Sequence, residues 1–271
     1  MCIRDRFIAV SAKYRREILP SKSAKTQREY EPALNRLDKA FKAFRLPQIR
    51  PIHCRQYLDR RTAKVAANRE MAVFSALFNW ARSIGLTDAP NPATGIKRHR
   101  ESRRETYVTD EQFDAVWKHA GPELQDALDI ARLTGQRPAD VLKIRLGDIS
   151  DGHLWVRQNK TGARLGIAVV GQLIAVIERC RTREREATGL YLVQTATGQR
   201  VTYTMLRNRF EDAREKAGEK WQFRDLRAKA ATDLDDVKAA QGLLGHRSET
   251  TTADIYRRVK GNKVNPVKSG S

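Results

Sequence analysis

A proline-rich break followed by a basic stretch constrains the fold most, because it divides the chain into two regions. Pro90-Asn91-Pro92 ends the helical pattern that precedes it, and residues 95–104 follow with no periodicity and six basic side chains, counting His99. Proline fixes φ and has no N–H to donate, so neither a helix nor a central strand continues through such a break. We therefore predict two domains joined by a basic linker over residues 95–105.

The first region predicts an all-α bundle of short helices over residues 23–94. Its clearest signal is a stripe of apolar residues at alternating intervals of four and three, which is typical of an amphipathic helix and falls within residues 23–45. The stripe consists of Tyr30, Leu34, Leu37, Phe41 and Phe44. Two further helices are predicted over Ile52–Arg61 and residues 62–84, the second ending at Gly85.

The two ends of the chain carry weaker patterns. Residues 1–22 are assigned to an N-terminal segment and residues 260–271 to a C-terminal tail. Met1–Arg6 has neither helical nor strand periodicity and resembles translated sequencing adapter. We treat these six residues as candidates for non-native sequence, which implies that a native N-terminus is missing.

The second region, residues 106–259, combines helices with a small sheet. Thr109 and Gln112 form a capping-box pattern that opens a helix, a later helix ends at Gly135, and Pro138 starts the next one. The other predicted elements are a hairpin of Leu154–Arg157 and Arg164–Val170 around a turn at residues 159–162, a helix over residues 172–187, a short strand over Leu190–Val193, and three or four helices over residues 203–259. The fold class is therefore mainly α with a small β-sheet (α+β).

The charge of the chain indicates a polyanionic partner. The formal net charge is +20, and residues 1–104 hold 24 Lys and Arg against 9 Asp and Glu. Such a surface fits DNA, RNA or an acidic membrane surface. Three separated cysteines fit neither a disulfide framework nor a zinc site, and no apolar run is long enough to span a bilayer. We expect a cytoplasmic protein without a membrane partner, whose linker residues bind DNA through Lys97, Arg98, Arg100, Arg103 and Arg104.

A set of basic residues and one tyrosine in the second region suggests phosphoryl transfer. The set comprises Arg137, Lys160, Arg224, Arg227, His246 and Tyr256. A phenol is a poor nucleophile in water, but neighbouring cations stabilise both the phenolate and the charge that grows on a phosphate. Arginine offers a planar pair of donors to two phosphate oxygens, and a lysine can protonate the leaving oxygen.

Each of these residues alone has a more ordinary interpretation. Arg137 could form a surface salt bridge to Asp140, Arg227 could pair with a nearby aspartate, and His246 could cap the helix that Gly245 ends. Their order and spacing together favour a shared site over these separate interpretations.

At these residues the chain resembles the tyrosine recombinases, and among them the phage-type integrases. Thr134-Gly135-Gln136-Arg137 resembles the first arginine box, Arg227 the second catalytic arginine, and Leu244-Gly245-His246 the late histidine. Lys160 corresponds to the catalytic lysine on the β-turn, and Tyr256 to the nucleophile. The resemblance covers residues 23–259 and implies a core-binding domain followed by a catalytic domain.

The resemblance implies site-specific cleavage and rejoining of double-stranded DNA through a 3′-phosphotyrosine, without metal, ATP or another cofactor. It also implies four copies acting on two attachment sites, with DNA-bending or excisionase proteins as candidate partners, at the bacterial nucleoid. A separate N-terminal arm-binding domain is not recognisable. Asp140 stands where glutamate is commoner and is assigned a structural role.

Arg224 stands where the family most often has histidine, and arginine cannot accept the tyrosine proton. Water, a phosphate oxygen or His246 would have to accept it instead. Two other functions stay open: a type IB topoisomerase-like relaxing enzyme, and a prophage remnant that binds DNA without cutting it.

Overall fold

The structure is a computed structural model that describes residues 6–102, 104–187, 189–234 and 236–252. It divides into two compact units, Met1–Ser102 and Arg103–Ser271. This division falls inside the segment predicted to be the linker. Across the described residues, no helix is both long and apolar enough to cross a lipid bilayer.

Helices build the core of the first unit, as the periodicity predicts. They are α1 (Phe7–Glu17), α2 (Ala24–Phe41), α3 (Pro51–Arg60) and α4 (Lys64–Ser83). The predicted stripe faces inward along α2, since Leu34, Leu37 and Phe41 are buried and Tyr30 is partly covered. Its last residue, Phe44, is also partly covered but lies beyond the end of α2. Gly85 follows α4 with a φ of 72°, a conformation that glycine adopts without steric cost.

Helix α1 was not predicted and occupies much of the segment set aside as residues 1–22. Its buried residues Phe7, Val10, Ser11 and Tyr14 follow the spacing of a single helical face. Just before it, Arg6 forms one antiparallel bridge with Arg45, although Met1–Arg6 showed no strand pattern. The N-terminal segment therefore contributes to the core of the first unit.

Aromatic rings form the centre of that core. The ring of Phe41 lies 5.4 Å from that of Phe7 and 5.0 Å from that of Phe74, and Phe7 stacks on Phe74 at 5.6 Å. Large aromatic side chains bury much apolar area each, so three helices are held together by few residues.

The predicted linker has no helix or strand among its described residues, but it is anchored to the first unit. The Asn68 amide donates to the carbonyl oxygen of His99 at 2.8 Å and accepts from its N–H at 3.0 Å. Arg98 donates to the carbonyl oxygen of Asn68, and Arg55 donates to that of Lys97. Because Asn68 is itself buried, residues 97–99 follow the surface of the first unit as an ordered strap.

The second unit surrounds a separate apolar core with helices and one small sheet. Its helices are α5 (Asp110–Lys118), α6 (Pro122–Thr134), α7 (Pro138–Val141), α8 (Gln172–Thr182), α9 (Tyr203–Lys216), α10 (Asp225–Thr232), α11 (Val237–Leu244) and the short turn α12 (Glu249–Thr251). The predicted capping box is present, because Thr109 accepts from the Gln112 N–H and the Gln112 side chain accepts from the Thr109 N–H. Helix α8 ends five residues before the predicted position.

The sheet is antiparallel and three-stranded, in the order β1 (Ile149–Ser150), β2 (His153–Arg157) and β3 (Arg164–Ala168). The predicted hairpin is therefore present, with Arg157 opposite Arg164 beside the turn. The predicted strand over Leu190–Val193 is wrong, since Tyr191 forms only a single bridge, with Arg145. Leu192 and Val193 are apolar because they are buried in the core, not because they pair in a ladder.

Candidate active site

Two helix ends in the second unit meet at the predicted site. Helix α6 ends at Gly135 with a φ of 63°, and α11 ends at Gly245 with a φ of 62°. A Cβ atom on Gly135 would lie 2.7 Å from the tip of the Leu244 side chain and 3.3 Å from the Ala230 Cβ atom, so a larger residue there would have to displace these neighbours. The residues that follow these two glycines, Gln136-Arg137 and His246, are consequently brought together.

Arg227 joins the two helix ends from the middle of α10. Its side chain is buried, and its Nη1 donates to the Gly135 carbonyl oxygen at 2.6 Å. Its Nη2 donates to the Leu244 carbonyl oxygen at 2.6 Å and lies 3.0 Å from His246 Nε2. The last carbonyl groups of a helix lack partners within it, so one guanidinium satisfies both ends and places positive charge where helix dipoles favour it.

His246 is held as a neutral imidazole. Burial, and then the charges of Arg227 and Arg137, lower its pKa from 6.5 to about 4. Arginine can only donate, so His246 Nε2 accepts from Arg227, and we infer that Nδ1 carries the proton and donates to Thr252 Oγ1 at 2.9 Å. The end of α11 fixes the backbone here, because the His246 N–H donates to the Gln241 carbonyl oxygen.

Arg137 is oriented by the hairpin. It lies immediately before α7, whose first residue is Pro138, as predicted. Its Nη1 donates to Gln158 Oε1 at 3.0 Å, while the Asp140 carboxylate is farther away, at 3.9 Å. Asp140 is buried and accepts from the Asn159 N–H at 2.8 Å, so it ties the turn that carries Arg137 to the hairpin.

Two buried glutamines, neither of which was predicted to be a site residue, complete this network. Gln158 Nε2 donates to Gln136 Oε1 and to the Leu244 carbonyl oxygen, both at 2.9 Å, and its Oε1 also accepts from Thr161. Gln136 donates in turn to the Leu243 carbonyl oxygen. One signal could have identified Gln158: strand alternation places it on the same face as Leu154 and Val156, which points it inward.

Lys160 and Arg224 are exposed, unlike the buried Arg227. Lys160 lies in the hairpin turn, two residues after Gln158. Arg224 precedes the first residue of α10 and borders a groove that is also lined by Pro138, the residue after Arg137. The Arg224 side chain is therefore exposed to solvent while the Arg227 side chain is buried, although the two residues are only three apart in sequence. Tyr256 lies outside the described residues, as does Arg103.

The linker residues predicted to contact DNA differ in their exposure and in their ion pairs. Lys97, Arg98 and Arg100 are exposed. Arg104, by contrast, makes a two-pronged ion pair with Asp225, with Nε–Oδ1 at 2.9 Å and Nη2–Oδ2 at 2.8 Å. Asp225 is fully buried at the start of α10, so Arg104 is engaged in holding the helix that carries Arg227.

Comparison with known proteins gives a consistent result. A model of the phage integrase family matches residues 107–263, more than half of the chain. The integrase of Escherichia phage HK022 is 28% identical over 193 residues, which cover 65% of this chain and 53% of that protein. The chain spans about half the length of the curated relatives it matches.

Solved structures share the fold. The crystal structure of a lambda integrase dimer bound to a COC′ core site has a TM-score of 0.80 and 21% identity, covering 96% of this chain and 80% of that one. A lambda integrase tetramer bound to a Holliday junction has a TM-score of 0.80 and 20% identity, covering 97% of this chain and 80% of that one. The α+β fold class predicted from the sequence is thereby confirmed.

The depressed pKa of His246 predicts a specific pH dependence of stability. Because the folded-state pKa of about 4 lies below the ordinary 6.5, the unfolded chain takes up this proton first as the pH falls. Above pH 6.5 the titration of His246 therefore does not change the stability. As the pH falls from 6.5 toward about 4, protonation of the unfolded chain increasingly lowers the free energy of unfolding. We expect urea midpoints of His246→Gln to fall less steeply than those of the wild type across this window. Equal slopes, or an imidazole NMR titration centred at the ordinary value, would contradict the prediction.

The Arg104 ion pair predicts a loss of stability when it is broken. Arg104→Ala leaves the buried Asp225 carboxylate short of its charged partner, which costs about 1–3 kcal/mol of unfolding free energy. Arg100→Ala is the matched control, since Arg100 is exposed and also lies in the basic stretch. Thermal unfolding should show a lower midpoint for Arg104→Ala alone. An unchanged midpoint accompanied by weaker DNA binding would instead favour the original assignment of Arg104 as a DNA contact.

Proposed function

The chain belongs to the phage integrase family, and from this premise we propose that it is a tyrosine-type site-specific recombinase. It would cut and rejoin DNA strands, integrating or excising a phage or genomic island. The chain covers only about half of its curated relatives, so its activity, its DNA sites and its partners are all part of the proposal.

One observation carries the proposal more than any other. Arg227 contacts His246 at 3.0 Å and the carbonyl oxygens of both helix ends, while Gln158 connects one of those ends to Arg137. Three residues from distant parts of the sequence thus form one cationic site. A generic basic surface would not require buried amide and guanidinium contacts of this kind.

We assign distinct tasks to the basic residues. Arg137 and the exposed Arg224 bind the non-bridging oxygens of the scissile phosphate, because a guanidinium matches two such oxygens. Arg227 supplies buried positive charge beneath them. Preorganised charge of this kind stabilises the five-coordinate transition state without rearrangement during the reaction.

The reaction would proceed in two balanced steps. The Tyr256 oxygen attacks phosphorus, the bond from phosphorus to the 5′-oxygen breaks, and Lys160 protonates the departing oxygen. In the second step the 5′-hydroxyl of a partner strand attacks the 3′-phosphotyrosine and gives its proton to the now neutral Lys160. The bond from phosphorus to the Tyr256 oxygen breaks, and the tyrosinate takes back the proton that it released in the first step. The number of phosphodiester bonds is unchanged, so these steps consume no ATP.

His246 is poorly suited to accept the Tyr256 proton. Its pKa of about 4 is far below that of a phenol, and its Nε2 lone pair is engaged with Arg227. We therefore assign the proton to water or to a phosphate oxygen. The task of His246 is to orient Arg227 through the hydrogen bond at Nε2.

The remaining parts of the proposal concern assembly and partners. The structure of a lambda integrase tetramer on a Holliday junction supports a tetramer of this chain on two double-stranded attachment sites. The basic residues Lys97, Arg98 and Arg100 would contribute backbone affinity that weakens with salt. DNA-bending or excisionase proteins, and action at the nucleoid in the bacterial cytoplasm, belong to the proposal by family resemblance.

A nicked suicide substrate tests the reaction directly. Cleavage near a nick releases a short fragment that cannot rejoin, so the covalent adduct accumulates. We expect wild-type protein to form an adduct with DNA from the junctions of its own element, and Tyr256→Phe to bind the same DNA without forming one. Tandem mass spectrometry should place the DNA remnant on Tyr256.

Three outcomes would contradict the proposal in different ways. An adduct that persists in Tyr256→Phe would mean another nucleophile. Tight binding with no adduct would identify a DNA-binding remnant. Relaxation of supercoiled plasmid without site preference would identify a topoisomerase-like enzyme.

A further inference from the structure

The outer face of the hairpin β2–β3 carries an unusual concentration of positive charge. Strand alternation buries Leu154 and Val156 and leaves Trp155 and Arg157 outside, together with Arg164 on the neighbouring strand. Lys160 lies in the turn between them and is also exposed. Arg157, Lys160 and Arg164 form no ion pair with any described residue.

The register makes this arrangement costly. Arg157 is paired directly opposite Arg164, and like charges in such positions destabilise an antiparallel sheet. An acidic residue at either position would have given a favourable cross-strand pair instead. A face that retains two opposed arginines next to a lysine is best explained by an anion that binds to it.

Trp155 extends the same face with a flat aromatic surface. It lies opposite Gly166, where a Cβ atom would be only 2.9 Å from the indole ring. Glycine thus allows the indole to lie across the neighbouring strand while 49% of the tryptophan remains exposed. A large exposed aromatic residue beside unpaired arginines is typical of a nucleic-acid surface rather than of a solvated sheet face.

We propose that Arg157, Arg164 and Trp155 form a DNA-backbone contact that is separate from the residues acting on the scissile phosphate. This inference rests on the proposed function, which assigns Lys160 to the departing oxygen of the DNA. Lys160 lies in the turn between Arg157 and Arg164, so DNA bound at Lys160 would pass close to both arginines. A second copy of this chain fits the face less well, because the chain carries a net charge of +20 and would repel it.

The salt dependence of DNA binding tests this contact. Full-length protein carrying Tyr256→Phe would be titrated onto a short mixed-sequence duplex at several salt concentrations, so that no cleavage interferes. Each arginine that neutralises a phosphate contributes about 0.9 to the slope of log K against log salt. We expect Arg157→Gln plus Arg164→Gln to reduce the slope by about 1.8, whereas removal of two cations elsewhere should not.

The matched control is Lys118→Gln plus Lys220→Gln, which makes the same charge change on α5 and on the segment after α9, at cations that likewise form no ion pair with a described residue. Both control residues are exposed. The thermal midpoint of each double variant would be measured, and removal of the opposed arginines should not lower it. A slope equal to that of the parent protein, or an equal reduction in the control pair, would overturn the proposal.

A second readout uses Trp155 itself. Binding of the duplex should quench tryptophan fluorescence in the parent protein and quench it less in Trp155→Phe; equal quenching would also overturn the proposal. Both measurements are independent of strand cleavage. If the adduct experiment fails but the slope falls as expected, the DNA contact stands and the proposed recombinase activity does not.

Discussion

The site depends on a single buried guanidinium that satisfies the ends of two helices. The carbonyl oxygens of Gly135 and Leu244 both accept from Arg227, each at 2.6 Å. A helix end buried without partners is unfavourable, so α6 and α11 can meet only if a donor stands between them. Glycines at both ends allow the approach, and Arg227 makes it stable. This arrangement sets the positions of Arg137 and His246, which follow the two helix ends.

Two functional consequences follow from the same contact. The charge of Arg227 and burial keep His246 neutral, so the imidazole accepts from the guanidinium and orients it. Gln158 then extends the network to Arg137. Its side-chain amide forms hydrogen bonds both with the carbonyl oxygen at the end of α11 and with the Arg137 guanidinium. Stability and the proposed catalysis therefore share the same residues, and a change at Gln158 should affect both. Such coupling is expected where polar groups are buried together.

Local patterns predicted the elements of this site better than its connections. The end of α6 at Gly135, the start of α7 at Pro138 and the hairpin follow from rules about glycine, proline and alternation. The roles of Gln136, Gln158 and Arg104 depend on partners far away in sequence, which no local pattern encodes. Helix α1 (Phe7–Glu17) was missed because residues 1–22 were assigned to an N-terminal segment and no helical pattern was sought in them. Leu192 and Val193 were misassigned because a short buried apolar run looks the same in a strand and in a core loop.

If Gln158 acts on the reaction by aiming Arg137, the effects of changing these two residues are coupled, and a double-mutant cycle measures that coupling. The rate of adduct formation on a nicked substrate would be measured for wild type, Gln158→Met, Arg137→Ala and the double variant, with thermal midpoints confirming that each is folded. Residues that act through one another are not additive. If Gln158 acts only through Arg137, the double variant is no slower than Arg137→Ala alone. A double variant whose loss equals the product of the two single losses would contradict it.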